Sequence, residues 1–520
     1  MAGRTAMADE DQTRTIALLG DPATHGGHPV TRVETHASII FLAGDRAYKL
    51  KRAVRYSYLD YSSERLRRIA CRDEYALNRR FAPALYLDVR PVTEGDDGRL
   101  SLGGDGTPVD WVVVMRRFDE ADLFDRMAEA GRLTPDLLVA LAERVADVHR
   151  AAAPVADQGG AAGIAEAIET TRINLRPGAA FSLAEIASWR RAVDAALAAQ
   201  RELLERRRLA GKVRECHGDL HLRNICLLDG RPTLFDGIEF SRSIACIDIV
   251  FDLAFLLMDL HHRGLDHLGN RVFNRYFDLM DEEDALPLLP LFLSLRAAIR
   301  AQVTETAARR EPDEALRAAA MAEASAYLAL ATEALRPERP RLVAVGGFSG
   351  TGKTTLAREL APLMLPAPGA RVLRSDVIRK RMWDVAETQH LPEGAYGLNN
   401  ARAVYGRLAD ETAVTLAAGC SVIADAVFAQ PEERRAMAEL ARRAGVSFHG
   451  LWLTAPVETL VARVAGRSGD ASDATPAVVR RQVALHIGPL DWETVDAAGD
   501  VSMSLASALA AIGVDRPPRA

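Results

Sequence analysis

Apolar positions follow two different rhythms along this chain. Residues 1–30 are polar and glycine-rich without a clear period, and a loose or partly helical lead-in is expected there. Ser38–Leu42 and Ala47–Lys51 read as short strands around the turn Ala43-Gly44-Asp45-Arg46. Ser62–Arg80 changes to helical spacing, with Leu66, Ile69, Tyr75 and Leu77 among charges. Leu85–Val92 and Trp111–Met115 return to strand. From Leu123 the pattern is mainly helical, with long Ala/Leu/Arg-rich stretches at Leu133–Ala152 and Leu183–Leu209 and further helices from Ile247 to about Leu335.

Arg336–Arg341 carries Pro337 and Pro340 among charges, where neither helix nor central strand continues, and reads as a linker. Beyond it strands and helices alternate. The strands are Leu342–Gly346, Val372–Ser375, Ser421–Ala424 and Ser447–Leu453, with helices expected at Thr354–Leu363 and Ala401–Ala418. That alternation predicts a parallel α/β sheet covered on both faces. The two halves differ in period, so no internal repeat relates them.

At 520 residues the chain is too long for one core. A net charge of −6 gives no electrostatic case for a nucleic-acid or membrane-surface partner. None of the five cysteines forms a C-x-x-C pair, which argues for a reducing compartment and against structural zinc. Ile244–Leu260 is apolar but short and interrupted by Asp248 and Asp252, so no spanning segment is expected and a cytoplasmic location is.

Two signatures carry the chemistry. Gly347-Phe-Ser-Gly-Thr-Gly-Lys353-Thr354 is a complete G-x-x-x-x-G-K-[ST] loop between an apolar strand and a helix. Its backbone amides and helix N-terminus suit an anion. Gly347, Ser349, Gly350, Thr351, Gly352, Lys353, Thr354 and Thr355 form the expected nucleotide-binding set, with Lys353 on the β- and γ-phosphates and Thr354 on Mg²⁺. Asp376, at the end of the next strand, is a candidate base toward an acceptor hydroxyl or a helix N-cap, and the two roles are compatible. Asp425, ending the next strand, is a candidate contact to Mg²⁺ or its water, or to substrate. Arg463 and Arg467 precede a polar stretch and read either as lid arginines for the transferring phosphate or as a solvated helix face. From about Leu342 onward these runs resemble small P-loop kinases that phosphorylate metabolites or polynucleotide ends. Without a basic or aromatic track, a small acceptor is favoured.

The second signature is His217-Gly-Asp219-Leu-His221-Leu-Arg-Asn224, followed by Phe235-Asp236-Gly-Ile-Glu239. An Asp, an Asn five residues on and a second Asp after an apolar strand make the minimum set for kinase-type phosphoryl transfer. Asp219 would take the proton of the attacking hydroxyl, with Asn224 and Asp236 on the metal. His217 and His221 are metal ligands or, more simply, loop hydrogen-bonding groups. These residues resemble the aminoglycoside phosphotransferase family, whose fold is similar to that of protein kinases.

That resemblance implies Lys49 as the lysine on ATP phosphates, although Lys51 lies on the same strand face. It further implies Glu74 as the lysine's partner, Asp252 as the residue holding the catalytic loop, and Met115 within the strand and hinge that meet adenine. The strand turn before Lys49 departs from the pattern, having no G-x-G-x-x-G.

The order of the modules, with the Asp236–Phe240 and Asp252–Leu260 runs, resembles bacterial bifunctional aminoglycoside phosphotransferase/ATP-binding proteins over nearly the whole chain. The expected organisation is a lead-in at 1–30, a bilobal kinase-like α+β domain at 31–335, a linker at 336–341 and a P-loop α/β domain at 342–520. The implied activity is a two-module phosphotransferase using ATP and Mg²⁺ on hydroxyls of small metabolites, with no nucleic-acid or membrane partner. A second reading makes one module a regulatory nucleotide sensor. A third is a signalling or toxin-like kinase.

Overall fold

The computed structural model describes residues 11–56, 59–466 and 471–514. They group into two compact units, one of residues 1–167 and 201–256, the other of 168–200 and 257–520.

The first unit is built on a six-stranded antiparallel sheet in the order β1-β2-β3-β6-β4-β5. Its strands are β1 (Val30–Glu34), β2 (Ser38–Ala43), β3 (Arg46–Lys51), β4 (Tyr86–Glu94), β5 (Leu100–Leu102) and β6 (Thr107–Arg116). The helix Glu64–Phe81 packs on β4 and β6. It buries Ala70, Cys71, Glu74, Leu77 and Phe81 on one stripe and leaves most of its arginines toward water.

The lead-in is more ordered than its polar composition predicts. Thr13–Gly20 is a helix with Leu19 fully buried. Gln12 pins its start by donating to Lys51 O (2.9 Å) and Asp110 Oδ2 (2.7 Å) and accepting from Ala53 N (2.7 Å). One amide thus satisfies three buried groups at once. Below the sheet come β7 (Val213–Glu215), the hairpin β8 (Ile225–Leu228) and β9 (Arg231–Leu234), and β10 (Cys246–Asp248), which pairs with β7.

The second unit contains a five-stranded, wholly parallel sheet in the order β12-β13-β11-β14-β15. Here β11 is Arg341–Gly346, β12 Arg371–Arg374, β13 Val422–Asp425, β14 Ser447–Thr454 and β15 Glu493–Asp496. Two apolar clusters, around Leu342, Ala424 and Trp452 and around Val343, Leu360 and Leu451, cover its opposite faces.

The grouping departs from the boundaries expected at 335 and 342. The helix Asp266–Met280, in sequence well before the linker, docks on the edge strand β12. Asn274 Oδ1 accepts from Val372 N at 2.7 Å, and the Asn270 amide donates to Pro368 O and Ala370 O. Arg371, with no exposed surface, reaches Asn274, Asp278 (2.9 Å) and Glu283 (3.2 Å). The helix therefore covers a strand edge whose backbone groups would otherwise lie open. Leu289–Ala308 lies in a helical stretch long and apolar enough to cross a membrane by composition, yet it buries most of its residues, as a core helix does.

Candidate functional site

In the first unit, β3 and the helix Glu64–Phe81 aim charged side chains at one point. Lys49 Nζ lies 2.8 Å from Glu74 Oε1 and 2.5 Å from Asp236 Oδ1. Lys51, two residues on and on the same strand face, reaches Glu74 Oε2 (2.6 Å), Glu239 Oε1 (2.5 Å) and the Tyr61 hydroxyl (3.3 Å). Both lysines point inward, but only Lys49 touches Asp236, and Lys51 sits deeper.

Glu74 is fully buried and shared between the two ammonium groups. Burial alone would raise its pKa; Lys49 and Lys51 outweigh that and hold the carboxyl down at about 2. Burial would likewise lower the Lys49 pKa, but the Asp236 and Glu74 carboxylates push it well above the ordinary lysine value.

The loop around Asp219 is held from below. Asp252, fully buried, accepts from His217 N (3.2 Å) and Gly218 N (2.9 Å) and lies 3.1 Å from His149 Nε2. His217 is not placed as a ligand: its Nε2 meets Phe235 O at 2.8 Å, and burial holds its pKa below the usual histidine value. His221 Nε2 lies 3.3 Å from Asp219 Oδ2.

Asn224 donates to Asp219 O (2.9 Å) and Oδ2 (2.8 Å), orienting the carboxylate. In the β8–β9 hairpin Ile225 pairs with Leu234, and Phe235 N donates to Asn224 O, so Asn224 and Asp236 emerge at the same end. Asp236 adopts φ +60°, unusual for a residue with a Cβ, and donates its N–H to the Tyr86 hydroxyl. Met115, next to last in β6, pairs with Ala47 and is buried with Ala47, Cys226 and Leu228. The turn between β1 and β2, Thr35-His36-Ala37, contains no glycine.

In the second unit, register gathers the site at the carboxyl edge of the sheet, where Val345 and Arg374 both pair with Asp425. The loop leaves β11 through Gly347 (φ +134°) and turns at Gly350 (φ +88°), where a Cβ would lie 2.6 Å from Leu460 O. Only glycine fits that close approach. Lys353 begins the helix Lys353–Leu360, and Thr354 Oγ1 donates to Asp425 Oδ2 at 2.6 Å.

Asp376 lies in the first turn of the helix Ser375–Met382, so it neither ends the strand nor caps the helix; the N-cap is Arg374. Burial pushes its carboxyl up, Arg374 opposes that, and Asp425 adds to it. Asp473 accepts from Lys380 Nζ (2.8 Å), Leu391 N (3.0 Å) and the Tyr396 hydroxyl, tying the segment after the arginines to the Asp376 helix.

The arginine pair divides. Arg463 lies on the helix Val457–Ala465 and donates to Ala497 O (2.8 Å) and Ala498 O (3.2 Å). There it lines a cavity of about 310 Å³ with Gly350, Gly352, Thr355, Ala497 and Asp500, on the flank of the P-loop. Arg467 lies outside the described residues.

Sequence reading missed Tyr61, which is 10 residues from its partner Lys51, and the use of Glu239, which is 188 residues from it. Glu239 was nonetheless visible within the Asp236-Gly-Ile-Glu239 run.

Known proteins bear on both sites. A family model described as the phosphotransferase enzyme family matches residues 60–286, and one described as an AAA domain matches residues 342–489. An uncharacterized protein of Mycobacterium tuberculosis is 31% identical over 503 residues, covering 93% of this chain and 97% of its own. Among solved structures, a choline/ethanolamine kinase family protein from Mesorhizobium loti is 16% identical (TM-score 0.37), covering 61% of this chain and 97% of its own. A sugar kinase from Janibacter is 22% identical (TM-score 0.28), covering 34% and 96%. With two kinase-type modules in one chain and a relative matched along nearly its full length, the chain belongs to the bifunctional aminoglycoside phosphotransferase/ATP-binding protein family and is an ATP-dependent phosphotransferase.

Proposed function

We propose that both modules transfer the γ-phosphoryl group of ATP to a hydroxyl of a small metabolite such as a sugar, amino sugar, polyol or nucleoside. The observation that carries this reading is that each phosphate-holding set has its own carboxylate beside it. Asp219 is oriented by Asn224 in one site, and Asp376 stands near Asp425 and Lys353 in the other. A nucleotide sensor needs the phosphate set but not a positioned base.

At the first site Lys49, oriented by Glu74, holds the phosphates, and Asp219 accepts the proton of the acceptor hydroxyl. Met115 and its apolar neighbours meet the base of the nucleotide. At the second, the amides from Ser349 to Thr355 and Lys353 hold the phosphates while Asp376 accepts the proton.

The oxygen donors present suit Mg²⁺. Asn224 spends its Nδ2 on Asp219, which leaves Oδ1 as its ligating atom, and Asp236 keeps 46% of its side chain exposed beyond its Lys49 contact. Thr354, with its proton on Asp425, can ligate through a lone pair, so Asp425 acts through Thr354. Bound at either site, Mg²⁺ would neutralise charge building on the phosphates. The reading includes a cytoplasmic setting, in keeping with five free, buried cysteines.

The test is an ATP-consumption screen of sugars, amino sugars, polyols and nucleosides on wild type, Asp219→Ala and Lys353→Ala in parallel. Two acceptor-dependent activities are expected, each lost in one variant by about a thousandfold or more. A single activity, abolished by one variant and only modulated by the other, would replace this reading with a kinase regulated by a nucleotide sensor.

A further inference from the structure

The run Arg374–Arg381 carries four cations around the proposed base Asp376, and three of them have a carboxylate. Arg374 Nε lies 3.6 Å from Asp425 Oδ2, Lys380 Nζ 2.8 Å from Asp473 Oδ2, and Arg381 Nη2 2.7 Å from Glu411 Oε2. Arg379 is the exception. It is 8% exposed, its Nη1 donates to Ala395 O at 2.8 Å, and its Nε meets no acceptor. No carboxylate among the described residues pairs with it. A guanidinium does not give up its proton, so burial leaves a full positive charge. One carbonyl and the Tyr396 ring, 4.8 Å from the guanidinium carbon, offset that charge only in part.

This charge stands beside the base. Asp376 and Arg379 are three apart on the helix Ser375–Met382, hence on one face, and no ion pair joins them. Burial and Asp473 push the Tyr396 hydroxyl up, Asp376 adds to that and Arg379 opposes it, so base, guanidinium and phenol share one neighbourhood.

We propose that Arg379 is an anion-binding residue of the P-loop module's acceptor site, so that the acceptor is a hydroxylated metabolite that also carries a carboxylate or a phosphate. Such a molecule sets its hydroxyl at Asp376 and its anion against the guanidinium, whose planar fork suits either group. Residues three apart on a helix have Cβ atoms about 5–6 Å apart, a span that a small acceptor bridges. Lys380 and Arg381 do not compete, because the protein already meets their charges. The inference rests on the P-loop module being a kinase with Asp376 as base, and narrows that reading to a class of acceptor.

The test is calorimetric titration of the full chain, loaded with Mg²⁺ and the non-hydrolysable β,γ-imido analogue of ATP. Three probes share one skeleton: glycerol, glycerate and glycerol 3-phosphate. Wild type is expected to bind at least one of the two anions about tenfold or more tighter than glycerol, and the tighter one tells carboxylate from phosphate. In Arg379→Gln the affinity for that anion is expected to fall about thirtyfold, the worth of a charge-assisted hydrogen bond, with glycerol unchanged. Arg379→Lys keeps the charge without the fork and should retain part of the preference; it serves if the glutamine variant does not fold.

A purely structural Arg379 predicts that glycerol and its anionic relatives change alike, and that result overturns the proposal. So does a wild type that binds neither anion better than glycerol. Weaker binding of the ATP analogue to Arg379→Gln overturns it as well, by assigning the guanidinium to the nucleotide. If Lys353→Ala leaves every isotherm of the analogue unchanged, the P-loop reading fails instead, which is a different outcome.

Discussion

The two candidate phosphate sites are built by opposite means. The first assembles its cradle from side chains: Lys49 meets Glu74, 25 residues away, and Asp236, 187 away. The second uses contiguous backbone, with the loop from Gly347 to Thr354 carrying nearly every donor it needs. A side-chain cradle exists only when distant elements are packed, so each member depends on the others. A backbone cradle is set by local φ values and tolerates the loss of a neighbour, but not of a glycine.

The sharpest way to break that contrast is to remove one lysine at a time. Lys49→Met deletes the proposed phosphate contact and leaves Asp236 without its ammonium partner. Turnover at the first site is expected to fall about a thousandfold, with P-loop activity unchanged. Lys51→Met removes the partner of Glu74 and Glu239 without touching Asp236, so it should raise KM and lower kcat about tenfold while lowering Tm. Equal losses from the two variants, measured by steady-state kinetics, would mean that Lys51 also contacts ATP.

This division explains what was legible in the chain. The P-loop could be read because strand, loop and helix are adjacent and each has a local signature. Asp219, Asn224 and Asp236 could be read because their order along the chain is itself informative. Lys49 and Lys51 could not be told apart, since one strand face carries both. What separates them is Asp236 meeting one and Glu239 the other, with each contact spanning nearly two hundred residues. The spacing of Arg463 reveals a helix face but not that its partners are the carbonyls of Ala497 and Ala498. The helix Asp266–Met280 was assigned by continuity, yet its partners on β12 lie 93 to 100 residues later.

That helix gives a second test. The phosphotransferase model runs to residue 286, past the point at 257 where packing joins the P-loop unit. Homology and packing thus divide the chain at different places. Arg371→Met leaves the half-buried Asp278 and Glu283 without their cation and should cost about 2–3 kcal/mol. Thermal unfolding should show it as a lower Tm for the transition lost when the P-loop unit melts. An unchanged Tm would mean that the helix only lies against β12 without supporting it.

The smallest effect separates the two cradles by sign. Glu74 has its pKa held down from an ordinary 4.5 to about 2, because its lysines outweigh burial. Its ionised form therefore stabilises the fold above pH 4.5, and that contribution is lost as pH falls toward about 2. Asp376 is the reverse. Burial raises its pKa above the ordinary 3.8, so the folded state holds that proton more tightly than the unfolded chain does. Keeping Asp376 ionised costs stability above its folded pKa, and the cost vanishes as pH falls below it.

Glu74→Gln should then be less stable than wild type at pH 7, with the gap closing on acidification. Asp376→Asn should be more stable at pH 7 and lose that advantage in acid, while abolishing P-loop turnover. Tm measured against pH for both variants decides the matter. If Asp376→Asn is destabilising at pH 7, Arg374 outweighs burial and the carboxylate is a structural ion-pair partner rather than a base kept at a cost in stability. A base should carry such a cost, because the environment that raises its proton affinity is the same one that disfavours its charge.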